Sequence, residues 1–288
     1  MLTDLVIDPF GADLREVVEL AGVAEDAGFD GVWTFDHVSG SVAGQPWSRD
    51  PFVTLGAIAA RTRRVRLGVL VANVVNRHPA QLASAVSSLQ SLAPGRVMCG
   101  VGSGASPSSI FASEQLAIGR VIDPATARCE RLVEHVAALR AIWDRAPDGA
   151  PVHVEGEHVT MRGLTAVVSP APTPPIVIGS SGERTVRVAA QIADGVNIRQ
   201  SPRLAELVAI VHEVRASSDD GGAASPFEIS VFDRLDPTHP LGGEADRLRE
   251  LGVGARTLFV SPPYPLDAVA AVGSASSAHR STAPGRAG

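Results

Sequence analysis

The 288-residue sequence predicts an α/β fold in which eight parallel strands, each followed by a helix, close into a (β/α)8 barrel. Two observations lead to this prediction. Short apolar runs rich in β-branched residues alternate with longer segments of helical period, and eight such pairs follow one another along the chain. The length, with 45% hydrophobic residues, fits one barrel of roughly 250 residues. We therefore expect a single domain over residues 1–272.

The first four strand-and-helix units occupy the N-terminal half. The predicted strands are 4–8, 31–35, 65–71 and 96–102, and the predicted helices are 14–27, 51–62, 79–92 and 124–143. Gly28 follows the first helix and favours a left-handed C-terminal cap. Pro51 and Pro79 suit the first turn of a helix, where a missing N–H costs no hydrogen bond.

The second half repeats this alternation. The predicted strands are 175–180, 194–198, 227–232 and 255–260, and the predicted helices are 183–193, 203–216, 244–251 and 266–272. Residues 147–174 contain five prolines and short alternating runs, which indicate a small hairpin-like insertion before the fifth strand. Residues 273–288 lack large apolar side chains, and we expect a disordered tail there.

Charge and residue usage exclude several classes of function. The net charge of −6 provides no basic field for nucleic acid or an anionic membrane. All 25 basic residues are Arg, so neither a Schiff-base lysine nor a P-loop lysine exists. Cys99 and Cys129 lack metal-ligand spacing, and we expect no metal site. Without a signal sequence or a long apolar run, the expected location is the cytoplasm.

Candidate site residues are sought at the C-terminal ends of the strands, because barrels of this kind place their active sites there. The polar residues at those ends are Asp8, Asp36, His37, Asn73, Arg77, His78, residues 102–109, residues 179–182, Asn197, Arg199, Asp233 and Arg234. This set is rich in hydrogen-bond donors and poor in clustered carboxylates. Such a composition favours an anionic cofactor over a divalent metal.

Two glycine-containing loops are candidates for binding that anion. The loop GVGSGASPSS, residues 100–109, lets the backbone approach a ligand, although composition alone fits an ordinary loop equally well. The loop GSSGERT, residues 179–185, opens a helix whose N-terminal amides suit a second anionic group. Ser181 in that loop could equally be a simple helix cap.

Three segments together resemble the bacterial luciferase-like superfamily of flavin-dependent monooxygenases and deazaflavin (coenzyme F420)-dependent oxidoreductases. They are LAGVAEDAGFDGVWTFDHVSG, PFVTLGAIAARTRRVRLGVLVANVVNRHPAQLASAVSSLQSLAPGRVMCGVGSGASP and PPIVIGSSGERTVRVAAQIADGVN. The similarity extends over roughly residues 4–272. It implies a (β/α)8 barrel, commonly a homodimer, that holds the cofactor ring in the barrel mouth.

The resemblance also implies roles for individual residues. A non-proline cis peptide is expected at Leu70–Val71, behind the ring. Asp36 and His37 would lie beside the ring as the catalytic pair, with His37 as a hydrogen-bonding or proton-transfer group. Asn73 would lie near the polar edge of the ring. The predicted cofactor contacts are Asp36, His37, Leu70, Val71, Asn73, Gly102, Ser103, Gly104, Ala105, Ser106, Ile178, Gly179, Ser180, Ser181 and Gly182.

Two departures bear on the substrate. Glucose-6-phosphate dehydrogenases of this superfamily carry a Glu after the glycine-rich segment and a Trp a few residues after the His, and here these positions hold Ala105 and Ser41. Their phosphate-binding lysines have no counterpart in a chain without Lys. A sugar-phosphate substrate is therefore not expected. The pocket walls are expected from residues 39–49, 108–122 and 147–174.

The predicted function is hydride transfer between coenzyme F420 and a small organic substrate. The RHP run, residues 77–79, and the segment 174–197 favour the deazaflavin branch, as does a composition typical of high-GC genomes. One alternative is a monooxygenase that uses FMN reduced by a partner flavin reductase. A second alternative is a non-catalytic flavin-binding homologue, and the residues Ala105 and Ser41 keep this possibility open.

Overall fold

The computed structural model describes residues 1–217, 226–236 and 243–282. Its strands are β1 (Leu2–Ile7), β2 (Gly31–Thr34), β3 (Arg66–Val69), β4 (Ala72–Asn73), β5 (Val97–Gly102), β6 (Val152–Glu155), β7 (Thr160–Leu164), β8 (Ile176–Ser180), β9 (Gly195–Arg199), β10 (Glu228–Arg234) and β11 (Ala255–Val260). Its α-helices are α1 (Leu14–Ala27), α2 (Pro51–Arg61), α3 (Pro79–Leu92), α4 (Ala112–Ala117), α5 (Ala125–Arg145), α6 (Glu183–Ile192), α7 (Leu204–Ser217), α8 (Gly243–Glu250) and α9 (Leu266–Thr282). Short 3-10 turns cover Ser41–Ala43 and Ala146–Asp148.

The strands form a closed parallel barrel, which confirms the predicted (β/α)8 fold, also called a TIM barrel. Around the ring the order is β3, β2, β1, β11, β10, β9, β8 and β5. The ring closes where β3 pairs with β5, at Leu67 opposite Val97 and Gly68 opposite Met98. Since every pairing in the ring is parallel, the C-terminal ends of all the strands meet at one end of the barrel.

The helix starts follow the local signals in the sequence. The Asp13 carboxylate accepts the Arg15 N–H at 2.8 Å and caps α1, and Gly28 ends this helix with φ 95°. Asp50 caps α2 by accepting the N–H groups of residues 52 and 53 at 2.9 and 3.0 Å. Pro51 and Pro79 occupy the first helical turn, as predicted.

Two apolar layers stabilise the barrel. The larger layer lies between the strands and the surrounding helices and includes Leu5, Leu67 and Ile176. The smaller layer fills the barrel interior with Val6, Trp33, Leu70, Met98 and Val177. The Trp33 indole fits there because position 68 is glycine: a Cβ built on Gly68 would lie 2.3 Å from Trp33 Cζ3.

Polar side chains close the barrel beneath this interior layer. The buried Asp4 carboxylate accepts hydrogen bonds from Trp33 Nε1 at 2.8 Å and Arg66 Nη2 at 2.7 Å. Arg66 also donates to Glu228 at 2.8 Å. Burial raises the pKa of Asp4, although the Arg66 guanidinium and the Trp33 hydrogen bond favour its charged form. Among the described residues, these hydrogen-bonded side chains occupy the N-terminal end of the barrel interior.

The predicted third strand is interrupted. It ends at Val69, the Leu70–Val71 peptide bond is cis, and the short β4 pairs with the end of β5 at Ala72 opposite Val101. The expected non-proline cis peptide is thus confirmed at the expected bond.

The insertion before the fifth barrel strand is the antiparallel hairpin of β6 and β7, as predicted. It packs against α5, where Glu134 accepts the N–H groups of residues 157, 158 and 159 at 3.0, 2.8 and 2.9 Å.

The structure corrects the prediction of a disordered tail over residues 273–288. Helix α9 continues through Thr282, and residues 283–288 lie outside the described residues. Small side chains permit this continuation because they let α9 approach α1 closely. The Cα of Gly273 leaves no room for a side chain, since an added Cβ would lie 2.7 Å from Ala27 Cβ. Lack of large apolar residues therefore indicated close helix packing here and not disorder.

Candidate active site

A cavity of about 630 Å³ lies at the C-terminal ends of the barrel strands. It is lined by Phe35, Asp36, His37, Leu70, Val71, Asn73, Gly102, Ser103, Gly104, Ala105, Ser106, Ser109, Phe111, Glu114, Ala125, Arg128, Cys129, Gly179, Ser180, Ser181, Gly182, Glu183, Arg184, Thr185, Asn197, Arg199 and Phe232. The structure thus brings together all the predicted cofactor contacts except Ile178, whereas five candidates chosen by position alone do not line the cavity: Asp8, Arg77, His78, Asp233 and Arg234. The Ile178 side chain is fully buried in the layer behind the strands, one residue before Gly179.

Glycines at two strand ends make room for the side chain of Val71. A Cβ on Gly102 would lie 2.5 Å from Val71 Cγ2, and a Cβ on Gly179 would lie 2.8 Å from Val71 Cγ1. Both distances are shorter than any stable carbon contact. Val71, which follows the cis bond, therefore packs against bare backbone on two neighbouring strands and forms one wall of the cavity.

The loop after β5 carries the donors of a second wall. Gly104 has φ 84°, a left-handed conformation that favours glycine. The Ala105 N–H donates to Gln115 Oε1 at 3.1 Å, and the Ala105 carbonyl accepts from Arg128 Nη1 at 2.8 Å. Arg128 Nε is buried and has no hydrogen-bond partner in the described part of the chain. A buried cationic N–H without a partner is a suitable donor for an anionic ligand.

The loop after β8 forms the third wall. Gly182 is the N-cap of α6, and no side chain caps the first turn of this helix. Ser180 Oγ accepts the Gly182 N–H at 3.3 Å and donates to the Gly182 carbonyl at 3.1 Å. The alternative in which Ser181 caps the helix is thus not found. The α6 amides and the Ser181 hydroxyl line the cavity as further donors to an anion.

The Asp36 carboxylate is held by a bidentate ion pair. Its two oxygens accept from Arg77 Nε and Nη2, each at 2.8 Å, and one of them also accepts the Asn73 N–H at 3.1 Å. Arg77 donates in addition to Asp50, the cap of α2, at 2.9 Å. Asp36 therefore ties the end of β2 to β4 and to α2.

His37 belongs to a different network. Its Nδ1 lies 2.8 Å from Glu114 Oε2, and the other oxygen of Glu114 accepts the N–H groups of Val38 and Ser39 at 2.6 and 2.8 Å. The imidazole lies between two phenyl rings, with centroid distances of 5.0 Å to Phe10 and 4.8 Å to Phe111. Glu114 is 4% exposed, so this carboxylate is almost completely removed from solvent.

An aromatic cluster and a second buried acid surround this imidazole. Phe35 lies 6.3 Å from the His37 ring and 6.2 Å from Phe232. Burial raises the pKa of Asp8, although hydrogen bonds from Phe10 N–H and Ser261 and the nearby His37 favour its charged form. The cavity thus combines donors for an anion with an apolar surface beside a titratable imidazole.

The expected pocket walls need correction. Residues 39–49 and 147–174 contribute nothing to the cavity lining, and the 147–174 insertion contacts α5 through Glu134. Only the segment 108–122 contributes, through Ser109, Phe111 and Glu114. Four lining residues were not among the predicted contacts: Glu114, Arg128, Arg184 and Thr185. Three of these lie in the first turn of a helix that follows a cavity loop, a position that could have identified them.

The described part of the chain contains neither a candidate metal site nor a helix that could span a membrane. Over residues 1–217, 226–236 and 243–282, no group of three or more His, Cys, Asp and Glu side chains is placed to hold a metal ion. Within the same ranges, no helix combines the length and the apolar character needed to cross a bilayer.

Proteins of similar sequence cover most of this chain. The luciferase-like monooxygenase family model matches residues 5–233. An F420-dependent glucose-6-phosphate dehydrogenase from Nakamurella multipartita is 36% identical over 62% of this chain and 50% of its own length. The corresponding protein from Beutenbergia cavernae is 32% identical over 81% of this chain and 68% of its own length. The chain spans about half the length of the F420-dependent glucose-6-phosphate dehydrogenases that are most similar to it among these relatives.

A solved structure supports the fold. An F420-dependent secondary alcohol dehydrogenase, in complex with an F420-acetone adduct, superposes with a TM-score of 0.80 over 95% of this chain and 97% of its own. Its sequence identity is 17%, so the likeness concerns the barrel and its surrounding helices.

Proposed function

Because this chain belongs to the luciferase-like monooxygenase family, we propose that it is an oxidoreductase that transfers a hydride between coenzyme F420 and a small organic substrate. The observation that carries this proposal is the cavity in which two glycine loops, His37 and a buried arginine N–H meet, where this N–H has no partner among the described residues. F420-dependent dehydrogenases among the curated relatives support the choice of cofactor.

The residues present fit a deazaflavin with a phosphate-bearing chain. The bare backbone at Gly102 and Gly179 and the side chain of Val71 offer a smooth wall for a planar ring. Ser103, Ser106, Arg128 and the α6 amides offer donors for the phosphate. The volume of about 630 Å³ lies within the range usual for cofactor and small-molecule sites.

The chemistry divides between the cofactor and the chain. A bound deazaflavin supplies a ring carbon that accepts or donates a hydride. His37 would move the proton of the substrate oxygen, because an imidazole nitrogen with a free lone pair can accept a proton and return it. Asp36 has both oxygens engaged by Arg77 and Asn73, so we propose that it fixes the strand end beneath the ring and moves no proton.

Calorimetric titration of the purified protein with coenzyme F420 and, separately, with FMN tests the proposal. We expect saturable 1:1 binding of F420 and much weaker binding of FMN. Tight FMN binding without F420 binding would instead favour the monooxygenase with a partner reductase. F420 binding without hydride transfer to any acceptor would favour a non-catalytic homologue.

The substrate is proposed to be a small alcohol or ketone without a phosphate group. Three phenyl rings, Phe35, Phe111 and Phe232, line the cavity near His37. A pocket wall of this kind suits an apolar substrate. Parallel assays with glucose-6-phosphate and with a series of secondary alcohols decide this point, since faster turnover of the sugar phosphate would contradict it.

A homodimer is proposed from the resemblance to the superfamily. Light scattering of the purified chain would give a mass near twice 29.8 kDa if this is right. A mass of one chain over a wide concentration range would show a monomer.

A further inference from the structure

We propose that Glu114 is a positioning residue that fixes the tautomer of His37, so that the neutral imidazole presents an unprotonated Nε2 to the cavity. This inference rests on the proposed function, in which His37 moves a proton of the substrate. It assigns a role to an acid that belongs to none of the sequence motifs.

The first step is the hydrogen bonding of the Glu114 carboxyl group. Its Oε1 accepts two backbone N–H groups, from Val38 at 2.6 Å and from Ser39 at 2.8 Å. Both lone-pair directions of Oε1 are therefore used, and Oε2 is left as an acceptor that faces His37.

The second step is the position of the imidazole proton. Glu114 Oε2 lies 2.8 Å from His37 Nδ1, a normal distance for a charge-assisted hydrogen bond. In the proposed arrangement Glu114 Oε2 accepts this hydrogen bond, so Nδ1 carries the hydrogen. In the neutral imidazole the other nitrogen, Nε2, then has a free lone pair.

The third step is the orientation of the ring. Phe111, the residue before α4, stacks on the imidazole at 4.8 Å with an angle of 28° between the planes. Phe10 covers the ring at 5.0 Å. The segment around α4 therefore provides both the acid that fixes the tautomer and one of the rings that limit rotation of the imidazole.

The fourth step connects α4 to the rest of the cavity. Gln115, the neighbour of Glu114, accepts from the Ala105 N–H at 3.1 Å and from Asn73 Nδ2 at 3.4 Å, and donates to the Val121 carbonyl at 2.7 Å. Helix α4 is thus fixed to the glycine-rich loop and to β4. Glu114 is held in place by the same loop that we propose for binding the cofactor.

In the oxidation of an alcohol, His37 Nε2 would form a bond to the hydroxyl hydrogen as the O–H bond breaks. The electron pair of that O–H bond completes the carbonyl double bond, and the hydride of the same carbon leaves to the cofactor. In the reverse direction the imidazolium returns the proton to the oxygen. A histidine with its hydrogen on Nε2 could not accept the proton at that atom.

The variant Glu114→Gln tests this role with little change of shape. The amide oxygen can still accept the N–H groups of Val38 and Ser39, and the amide nitrogen then faces His37 Nδ1 as a donor. The hydrogen of the neutral imidazole must therefore move to Nε2. Nitrogen NMR of the histidine side chains, recorded without cofactor and assigned with His37→Gln, reads the tautomer directly.

We expect the Nδ1–H tautomer in the native chain and the Nε2–H tautomer in Glu114→Gln. With F420 and an alcohol substrate, kcat should fall on the order of 10²–10⁴-fold while KM changes little. The matched control is Glu134→Gln, because Glu134 also binds loop N–H groups but lies outside this cavity. This control should keep the native tautomer and the native kcat.

Three outcomes would overturn the inference: an Nε2–H tautomer in the native chain, no change of tautomer in Glu114→Gln, or an unchanged kcat despite a changed tautomer. Failure of the proposed function has a different signature. In that case F420 does not bind or accepts no hydride, while the NMR measurement still decides whether Glu114 sets the tautomer.

Discussion

Asp36 and His37 are adjacent in the sequence, but their side chains perform separate tasks. Asp36 is neutralised by Arg77 and joins three elements, whereas His37 is held by Glu114 and two phenyl rings. Truncating one partner of a buried ion pair leaves the other charge without compensation. Substitutions at Asp36 should therefore act mainly on stability, and substitutions at His37 mainly on turnover.

The variant His37→Ala should lower kcat roughly 10²–10⁴-fold, because it removes the proposed proton-transfer group. The dissociation constant for F420 should change by less than about threefold, since the proposed phosphate donors are untouched. Steady-state kinetics and calorimetry measure the two effects separately. His78→Asn is a suitable control, because His78 caps α3 outside the cavity and asparagine is a good N-cap. Unchanged turnover in His37→Ala would contradict the role of His37.

At the scale of residues, the sequence indicates where the site lies but not which side chains contact each other. Polar residues that directly follow buried strands identify Asp36, His37 and Asn73, because parallel barrel strands gather their C-terminal ends at one place. Glu114 is 77 residues away from His37 and follows no periodic pattern. Only the three-dimensional structure shows that these two side chains meet.

At the scale of elements, the ends of β5 and β8 are adapted to the side chain of Val71. The variant Gly179→Ala places a methyl group 2.8 Å from Val71 Cγ1. The valine must then shift into the space proposed for the cofactor ring. We expect F420 affinity to fall at least ~10-fold, which is the effect of about 1.4 kcal/mol.

The double variant Gly179→Ala/Val71→Ala should recover most of this affinity, because the valine methyl groups that cause the clash are removed. The four dissociation constants form a double-mutant cycle, and its coupling term isolates the contact between the two positions. Strictly additive effects would show that Val71 is not the cause.

Alanine substitutions at two helical glycines should have opposite effects on stability. Nothing lies within 4 Å of a Cβ built on Gly56 in α2, so Gly56→Ala should stabilise the fold by about 0.5–1 kcal/mol. A Cβ on Gly273 in α9 would lie 2.7 Å from Ala27 Cβ and 2.9 Å from the Ala27 carbonyl, so Gly273→Ala should destabilise by about 1–3 kcal/mol. Urea unfolding of both variants measures the difference. Equal effects would contradict close packing of α9 on α1.

The packing at Gly273 is one example of a feature of the helices that the hydrophobic pattern of the sequence does not predict. The barrel strands were predictable because they are apolar runs of regular spacing, and the helices because their period is sustained over three or more turns. Helix α4 has only six residues, too few for a periodic signal. In α9, residues 273–278 are Gly, Ala and Ser, and the close packing of small residues such as Gly273 against Ala27 is invisible in a hydrophobicity pattern.

At the scale of the whole molecule, the free energy of unfolding should depend on pH because of His135. This imidazole lies in α5, is 1% exposed, and neither ring nitrogen has a hydrogen-bond partner among the described residues. Burial, followed by the nearby charges of His78 and Arg131, lowers the pKa of His135 to about 4. The unfolded chain binds this proton below its ordinary pKa of about 6.5.

The direction in which stability changes with pH follows from this difference between the folded and unfolded pKa values. Above about pH 6.5 the His135 imidazole is neutral in both the folded and the unfolded chain, so it does not reduce the free energy of unfolding. Between about pH 6.5 and the folded value, the unfolded chain binds more protons, so stability falls as the pH falls. The total loss should be on the order of 3 kcal/mol.

Urea unfolding at several values between about pH 7 and pH 4 measures this loss. His135→Leu should flatten the acid dependence, whereas His153→Leu, at an exposed position on β6, should keep the native slope. The same slope in the native chain and in His135→Leu would contradict this source of acid sensitivity.

The indole of Trp33 gives the barrel a built-in optical reporter. It lies one layer beneath the cavity, packed with Leu70 and held by Asp4, whereas Trp143 is buried on the helix side and Trp47 is 45% exposed. A ring that absorbs visible light and lies on Leu70 and Val71 should quench the Trp33 emission most strongly. Trp33→Phe should therefore remove most of the quenching that F420 causes, and equal quenching in this variant would place the ring elsewhere.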